Sequence, residues 1–234
     1  MTGFGSLARV ESKLLLRDPG AIFSMVIPLF ILAVFGSGAA PGDVALPTMS
    51  MTVAVGLVGL YMVPTTLATY RERGILRRLS TTPVSPVALL GVQLALQLVF
   101  AVLASALLVG VSVAAFSAAV PARVAAMAVA FLLGTSAVFA VGLLIAATAP
   151  SGRAANGIGV LLYFPLAFLG GLMQPKEAMP EALAAIGEWT PLGLFRQAVF
   201  DAWSGAATQP LVLAIMAAYA LVIGGIAARI FRWE

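Results

Sequence analysis

Charged residues fall in short clusters along this chain, and between them run uncharged windows at 19 to 42, 44 to 70, 79 to 122, 124 to 152, 154 to 175 and 202 to 228. A hydrocarbon layer about 30 Å thick takes roughly 20 apolar residues at about 1.5 Å each and rejects charge at its centre, so every window is long enough to cross once. The third is the longest, but Pro83, Pro86 and Pro121 bracket only one good helix in it. The pattern predicts an all-α membrane protein with six transmembrane helices, near 20–40, 48–70, 86–117, 123–149, 156–173 and 207–228. Pro28, Pro64 and Pro165 fall inside these spans, where kinks are expected and tolerated.

Counting Lys and Arg in alternate loops sets the orientation. One side holds Arg9, Lys13, Arg17, Arg71, Arg73, Arg77, Arg78, Arg153, Arg229 and Arg232, and the other only Arg123, Lys176 and Arg196, ten against three. Both termini are therefore expected in the cytoplasm and the segment 174–206 outside. The chain reads as one transmembrane domain over 1–234. A basic start, an apolar stretch and Ser37-Gly38-Ala39 are also the ingredients of a cleavable signal peptide, but the region before that stretch is long and carries Glu11 and Asp18.

Composition agrees and removes much chemistry. Of 234 residues 62% are hydrophobic and 9% charged, with a mean hydropathy of +1.08 and a net charge of +4. With no Cys and no His there is no thiol nucleophile, no Ser-His pair and no zinc site of the usual type, so metalloprotease and rhomboid-like readings are excluded and no metal site is expected. Eleven Arg against two Lys in an Ala-, Val- and Gly-rich chain suit a GC-rich bacterial genome, hence a bacterial plasma membrane. No nucleic-acid partner is expected.

Three segments outside the spans carry pattern of their own. Over 3–17, Arg9, Lys13 and Arg17 form a basic stripe opposite Phe4, Leu7, Leu14 and Leu15, the pattern of a helix lying flat on the inner leaflet or of a basic leader. Glu11 falls among the apolar side chains and needs a partner other than lipid. In the run from Tyr70 to Pro86, Ile75, Leu76 and Leu79 share one face of a short helix with Arg77 and Arg78 turned away, and Thr82-Pro83 stops it. Such a helix is either a docking element for another protein or a plain positive-inside loop. In 174–206, Pro175 and Pro180 punctuate the chain, 181–188 suits a short helix, and Pro191 starts another whose Leu192, Phe195, Val199, Ala202 and Trp203 line one face. Inside the spans no Asp, Glu, Lys or Arg sits at a predicted centre, which disfavours proton-coupled transport. Gln93 and Gln97 share a face of the third span and touch either substrate or a neighbouring helix.

Together these segments resemble the membrane subunits of ABC exporters of the type-2 permease family. The resemblance is carried by the amphipathic start at 3–17, by the run Glu72-Arg73-Gly74-Ile75-Leu76-Arg77-Arg78-Leu79-Ser80-Thr81-Thr82-Pro83-Val84-Ser85, and by Gly170 to Pro180 followed by Trp189-Thr190-Pro191-Leu192. It departs from the family pattern at Ile75, where Thr is expected, and at Arg77, where an acidic residue is more usual. The resemblance implies an elbow helix at 3–17 and a coupling helix in 71–86, with Glu72, Gly74, Ile75, Leu76, Leu79 and Pro83 gripping a separate ATPase. It also implies external re-entrant helices around Pro175, Pro180, Pro191, Phe195 and Trp203, and a dimer, with itself or a paralogue, served by two P-loop ATPase subunits. The chain has no Gly-Lys pair and so no P-loop, which places ATP and Mg in the partner. The expected function is export of a hydrophobic or amphipathic drug, antibiotic or lipid; an ATP-independent carrier or substrate-binding module and a non-transporting assembly or immunity factor are the alternatives.

The topology is testable with single cysteines in a chain that has none. A Cys placed at Ala182 is expected to react with an impermeant thiol reagent applied to intact cells, and one at Ser80 to be protected. The reverse pattern overturns the orientation.

Overall fold

The computed structural model describes residues 9, 11–15, 17–75, 86–175 and 178–231, and all of its regular structure is helical. Six helices are long and apolar enough to cross a membrane: α1 (Pro19–Gly36), α2 (Ala45–Glu72), α3 (Pro86–Phe116), α4 (Val124–Thr148), α5 (Gly152–Leu169) and α8 (Pro210–Ile230). Between α5 and α8 lie two shorter helices, α6 (Glu181–Glu188) and α7 (Pro191–Ser204). With six spans the first and last described residues share one face, here the terminal face, and α6 and α7 lie at the far face.

Local chemistry sets the helix ends. Asp18 accepts from the Gly20 N–H at 2.8 Å beside Pro19, which starts α1. Asp43 accepts from the Ala45 and Leu46 N–H groups at 3.0 and 3.2 Å, so α2 begins a few residues before the 48 that hydropathy predicts. Ser151 accepts from the Ala154 N–H at 3.1 Å, and α5 opens at Gly152 rather than 156, with Arg153 exposed in its first turn. Side-chain acceptors at a helix start satisfy N–H groups that have no partner within the helix, and they outweigh the small loss from one interfacial charge.

The spans differ in what they cover. α1, α3, α5 and α8 expose rows of large apolar side chains, among them Phe30, Leu103, Leu161 and Leu221, as helices facing lipid do. α2 is buried along most of its length and is the axis of the bundle. Over Val58–Met62 it widens into a π turn, and the Val63 N–H donates to Val58 O, five residues back. Pro64 follows with no N–H to give, so Leu60 O loses its donor in the α pattern and Gly59 O in the π pattern. Those two carbonyls face glycines: a Cβ added to Gly142 of α4 would overlap Gly59 O, and one added to Gly159 of α5 would overlap Leu60 O. Helices in lipid associate through close packing rather than the hydrophobic effect, and small residues permit this backbone approach.

At the far face α7 is packed among α2, α4, α5 and α8, not laid over them. Leu192, Leu194, Phe195, Ala198, Val199, Ala202 and Trp203 are all buried. Phe195 meets Phe131 of α4 edge-on at 5.8 Å and fills the space left by Gly134. Trp203 donates from Nε1 to Ala119 O at 2.7 Å, which ties the end of α7 to the loop after α3. Thr190 starts the helix, accepting from the Gly193 N–H at 3.1 Å.

Two substitutions test the carbonyl-to-glycine contacts. Gly142→Ala and Gly159→Ala should each lower the thermal midpoint in detergent, by a cost of about 1–3 kcal/mol for overpacking. Gly157→Ala, where an added methyl meets nothing within 4 Å, should be neutral or stabilise by up to roughly 1 kcal/mol through helix propensity.

Candidate functional site: the terminal face and the far-face cavity

The last turn of α2 brings three consecutive side chains to three different elements at the terminal face. Tyr70 donates its hydroxyl at 2.6 Å to Oε2 of Glu11, in the N-terminal helix whose described residues are 9 and 11–15, and Glu11 is only 6% exposed. Arg71 donates from one guanidinium nitrogen to Ala146 O at 2.9 Å and Ala147 O at 3.0 Å, and from the other to Ala149 O. Its guanidinium also lies 6.0 Å from the centre of the Phe231 ring. Glu72 accepts from the Gly152 N–H at 2.8 Å through Oε2.

The signs follow from helix electrostatics. The carbonyls bound by Arg71 close α4, where a helix carries partial negative charge and lacks donors, and the N–H bound by Glu72 opens α5, where the partial charge is positive. One Arg-Glu dipeptide thus holds both sides of the three-residue turn 149–151. Beneath it, a Cβ on Gly152 would overlap the Thr69 side chain, so α5 meets α2 there through a glycine packed on a small side chain. Arg73 and Gly74 then end α2, their N–H groups donating to Thr69 O and Arg71 O at 3.0 Å each. Gly74 has φ +63°, a left-handed conformation that favours glycine. Ile75, half-buried, packs against the core.

Other residues singled out in the sequence lie as follows. Leu76, Leu79 and Pro83, with Arg77 and Arg78, fall outside the described residues, as do 1–8 of the amphipathic start. Arg9, Lys13 and Arg17 are exposed, as is Leu14, and Leu15 packs on the core. Gln93 and Gln97 are buried in α3, the helix that packs on α1 and α2. Gln93 Oε1 and both amide atoms of Gln97 have no hydrogen-bond partner among the described residues. Pro191, Phe195 and Trp203 belong to the buried side of α7, whereas Pro175 and Pro180 are exposed.

The far face holds a cavity of about 740 Å³ between the start of α2, residues 171–175 and α7. Phe35, Leu46, Met49 and Phe200 give it apolar walls, and Gln174, Arg196 and Gln197 give it a polar side. Arg196 donates to Gly170 O at 3.2 Å, and Gln197 donates to Asp201 at 2.8 Å. Burial raises the Asp201 carboxyl above its ordinary pKa, and the hydrogen bond from Gln197 opposes that shift. Among the described residues no three metal-ligating side chains converge.

Sequence reasoning missed the roles of Tyr70, Arg71 and Glu72. Arg71 counts there only as a basic loop residue and Glu72 as a contact to a partner. The available signal was an Arg-Glu pair ending one span while Ser151-Gly152 opened another, but spacing does not say which helix ends meet. Among curated proteins no relative matches the chain. Residues 2–202 match the family described as ABC-2 type transporter. That match takes in five of the six spans together with the hydrogen bonds of Tyr70, Arg71 and Glu72 and the far-face cavity, and the chain belongs to the ABC-2 type transporter family.

Proposed function

We propose that the chain, a permease component of an ABC transporter, is the membrane subunit of an exporter for amphipathic molecules, working as a dimer with two copies of a P-loop ATPase. The terminal face is then the cytoplasmic face of a bacterial plasma membrane, and segment 71–86 is where the ATPase docks. The observation that carries this reading is the anchoring of that segment. It leaves the most buried helix of the bundle through a turn tied to α4, α5 and the N-terminal helix, so a push on it reaches the whole subunit. The cavity at the far face supports the amphipathic class, because its apolar walls face a polar side bearing Arg196, Gln174 and Gln197. ATP binding in the partner supplies the energy, since the chain has no Gly-Lys pair with which to build a phosphate loop.

The experiment is co-purification with the ATPase and ATP hydrolysis in lipid. Leu76→Asp or Leu79→Asp would bury an unpaired charge in the docking groove, at a cost of several kcal/mol, and is expected to abolish co-purification while the variant still inserts. Arg77→Gln and Arg78→Gln should change it little, because exposed ion pairs contribute about 0–1 kcal/mol. Full partner binding by both Leu→Asp variants would leave 71–86 as a plain basic loop. The chain alone is expected to bind no ATP at micromolar concentration.

A further inference from the structure

Segment 71–86 is joined to α3 by chain outside the described residues, but it is joined to α4 and α5 by side chains of α2. Successive residues of a helix point about 100° apart, so Tyr70, Arg71 and Glu72 fan out, and each meets a different element. Tyr70 holds Glu11, Arg71 the closing carbonyls of α4, and Glu72 the first N–H of α5. The grip on α5 does not depend on these hydrogen bonds alone. Gly152 against Thr69 and Gly159 against Leu60 O place α5 in close contact with α2 at two points one heptad apart, on the same side of α5. A turn of three residues between α4 and α5, closed from both sides by one dipeptide, has little slack.

We propose that Tyr70, Arg71 and Glu72 are positioning residues that form a transmission clamp: they make the N-terminal helix and the α4–α5 turn move with the end of α2 when the ATPase displaces segment 71–86. This rests on the docking reading above. It assigns the carboxylate of Glu72, an exposed residue, to the start of α5 within the subunit, and it makes α5 the second span to move with α2. Arg71 is suited to the task because its planar fork spreads donors over separate nitrogens to three carbonyls, whereas a lysine presents all its donors from one nitrogen.

The test uses the complete complex in lipid and reads substrate-stimulated over basal ATP hydrolysis, transport, co-purification and thermal midpoint. Arg71→Gln and Glu72→Gln should lower the stimulation ratio and transport about tenfold per copy of ATPase co-purified. Arg71→Lys should restore only part of the loss, and Tyr70→Phe, which frees Glu11 alone, should have a smaller effect. Arg229→Gln, an exposed basic residue on the same face, is the control and should match wild type. If Arg71→Gln and Glu72→Gln lower the midpoint but keep the wild-type stimulation ratio, the three residues only hold the fold and the clamp is wrong.

A second measurement avoids deletion of any clamp residue. In Thr69→Cys with Gly152→Cys, the Cβ at 152 would stand 3.1 Å from the Cβ of residue 69, close to the span a disulfide bridges. Comparing one double variant before and after oxidation cancels the effect of the substitutions themselves. Oxidation should leave transport at its reduced level if α2 and α5 move together, and its loss on oxidation would overturn the clamp. A wild-type chain that captures no ATPase takes down the docking reading and the clamp with it, a result distinct from coupled wild type with equally coupled variants.

Discussion

Because Pro64 brings no N–H, two carbonyls of α2 lose the donor a helix would normally supply, and in hydrocarbon no water replaces it. The rest of the bundle is arranged around that constraint. The π turn at Val58–Met62 moves the carbonyls outward, and α4 and α5 come to meet them with Gly142 and Gly159. Backbone dipoles then lie against backbone, where weak Cα–H contacts and dense packing recover part of what the proline removed. A side chain at either glycine would push the helices apart and leave the carbonyls facing a gap. The most buried span is thereby the most irregular one, and its irregularity decides which neighbours sit closest.

The same helix ends in groups whose signs suit what they touch. Hydrocarbon cannot screen helix termini, and the interfacial layer does so weakly, so a cation on the carbonyls of α4 and an anion on the N–H of α5 have more effect there than in water. Placing both on adjacent residues of α2 turns two local caps into one joint between three spans. The Tyr70 bond to Glu11 extends the joint to the N-terminal helix and gives a partner to a buried carboxyl group that would be costly without one. α3 differs: the amides of Gln93 and Gln97 are buried, yet three of their polar atoms lack partners among the described residues.

Much of this was legible in the sequence, for a physical reason. Lipid rejects charge, so the uncharged windows and their bracketing prolines predict six spans, and the structure differs mainly at ends where Asp43 and Ser151 cap earlier than hydropathy expects. Glu11 was legible as a misplaced charge because helical periodicity puts it on an apolar stripe. Its partner was not, because Tyr70 lies 59 residues away and nothing in spacing joins them. The face of α7 was readable from Leu192, Phe195, Val199, Ala202 and Trp203, but not its depth, since a period of 3.6 shows which residues share a side and not what covers it. Arg71 counts in the sequence only as a basic loop residue and Glu72 only as a contact to a partner, because a long-range cap has no local signature.

The far face shows why an apolar chain still carries polar chemistry at one end. α7 fills the space among four helices with Phe195 and Trp203, and the cavity begins where that packing stops, between the start of α2 and residues 171–175. Its apolar side is made from the same kinds of side chain that face lipid elsewhere, so an apolar ligand gains little by leaving the bilayer for it. Its polar side is different. Arg196 and the amides of Gln174 and Gln197 stand where a molecule with one polar end can exchange water for donors while its apolar part stays against Phe35, Met49 and Phe200. Under the export proposal, selectivity at this end would depend on the polar group a ligand carries more than on its apolar size, because only that group finds in the cavity something the membrane does not offer.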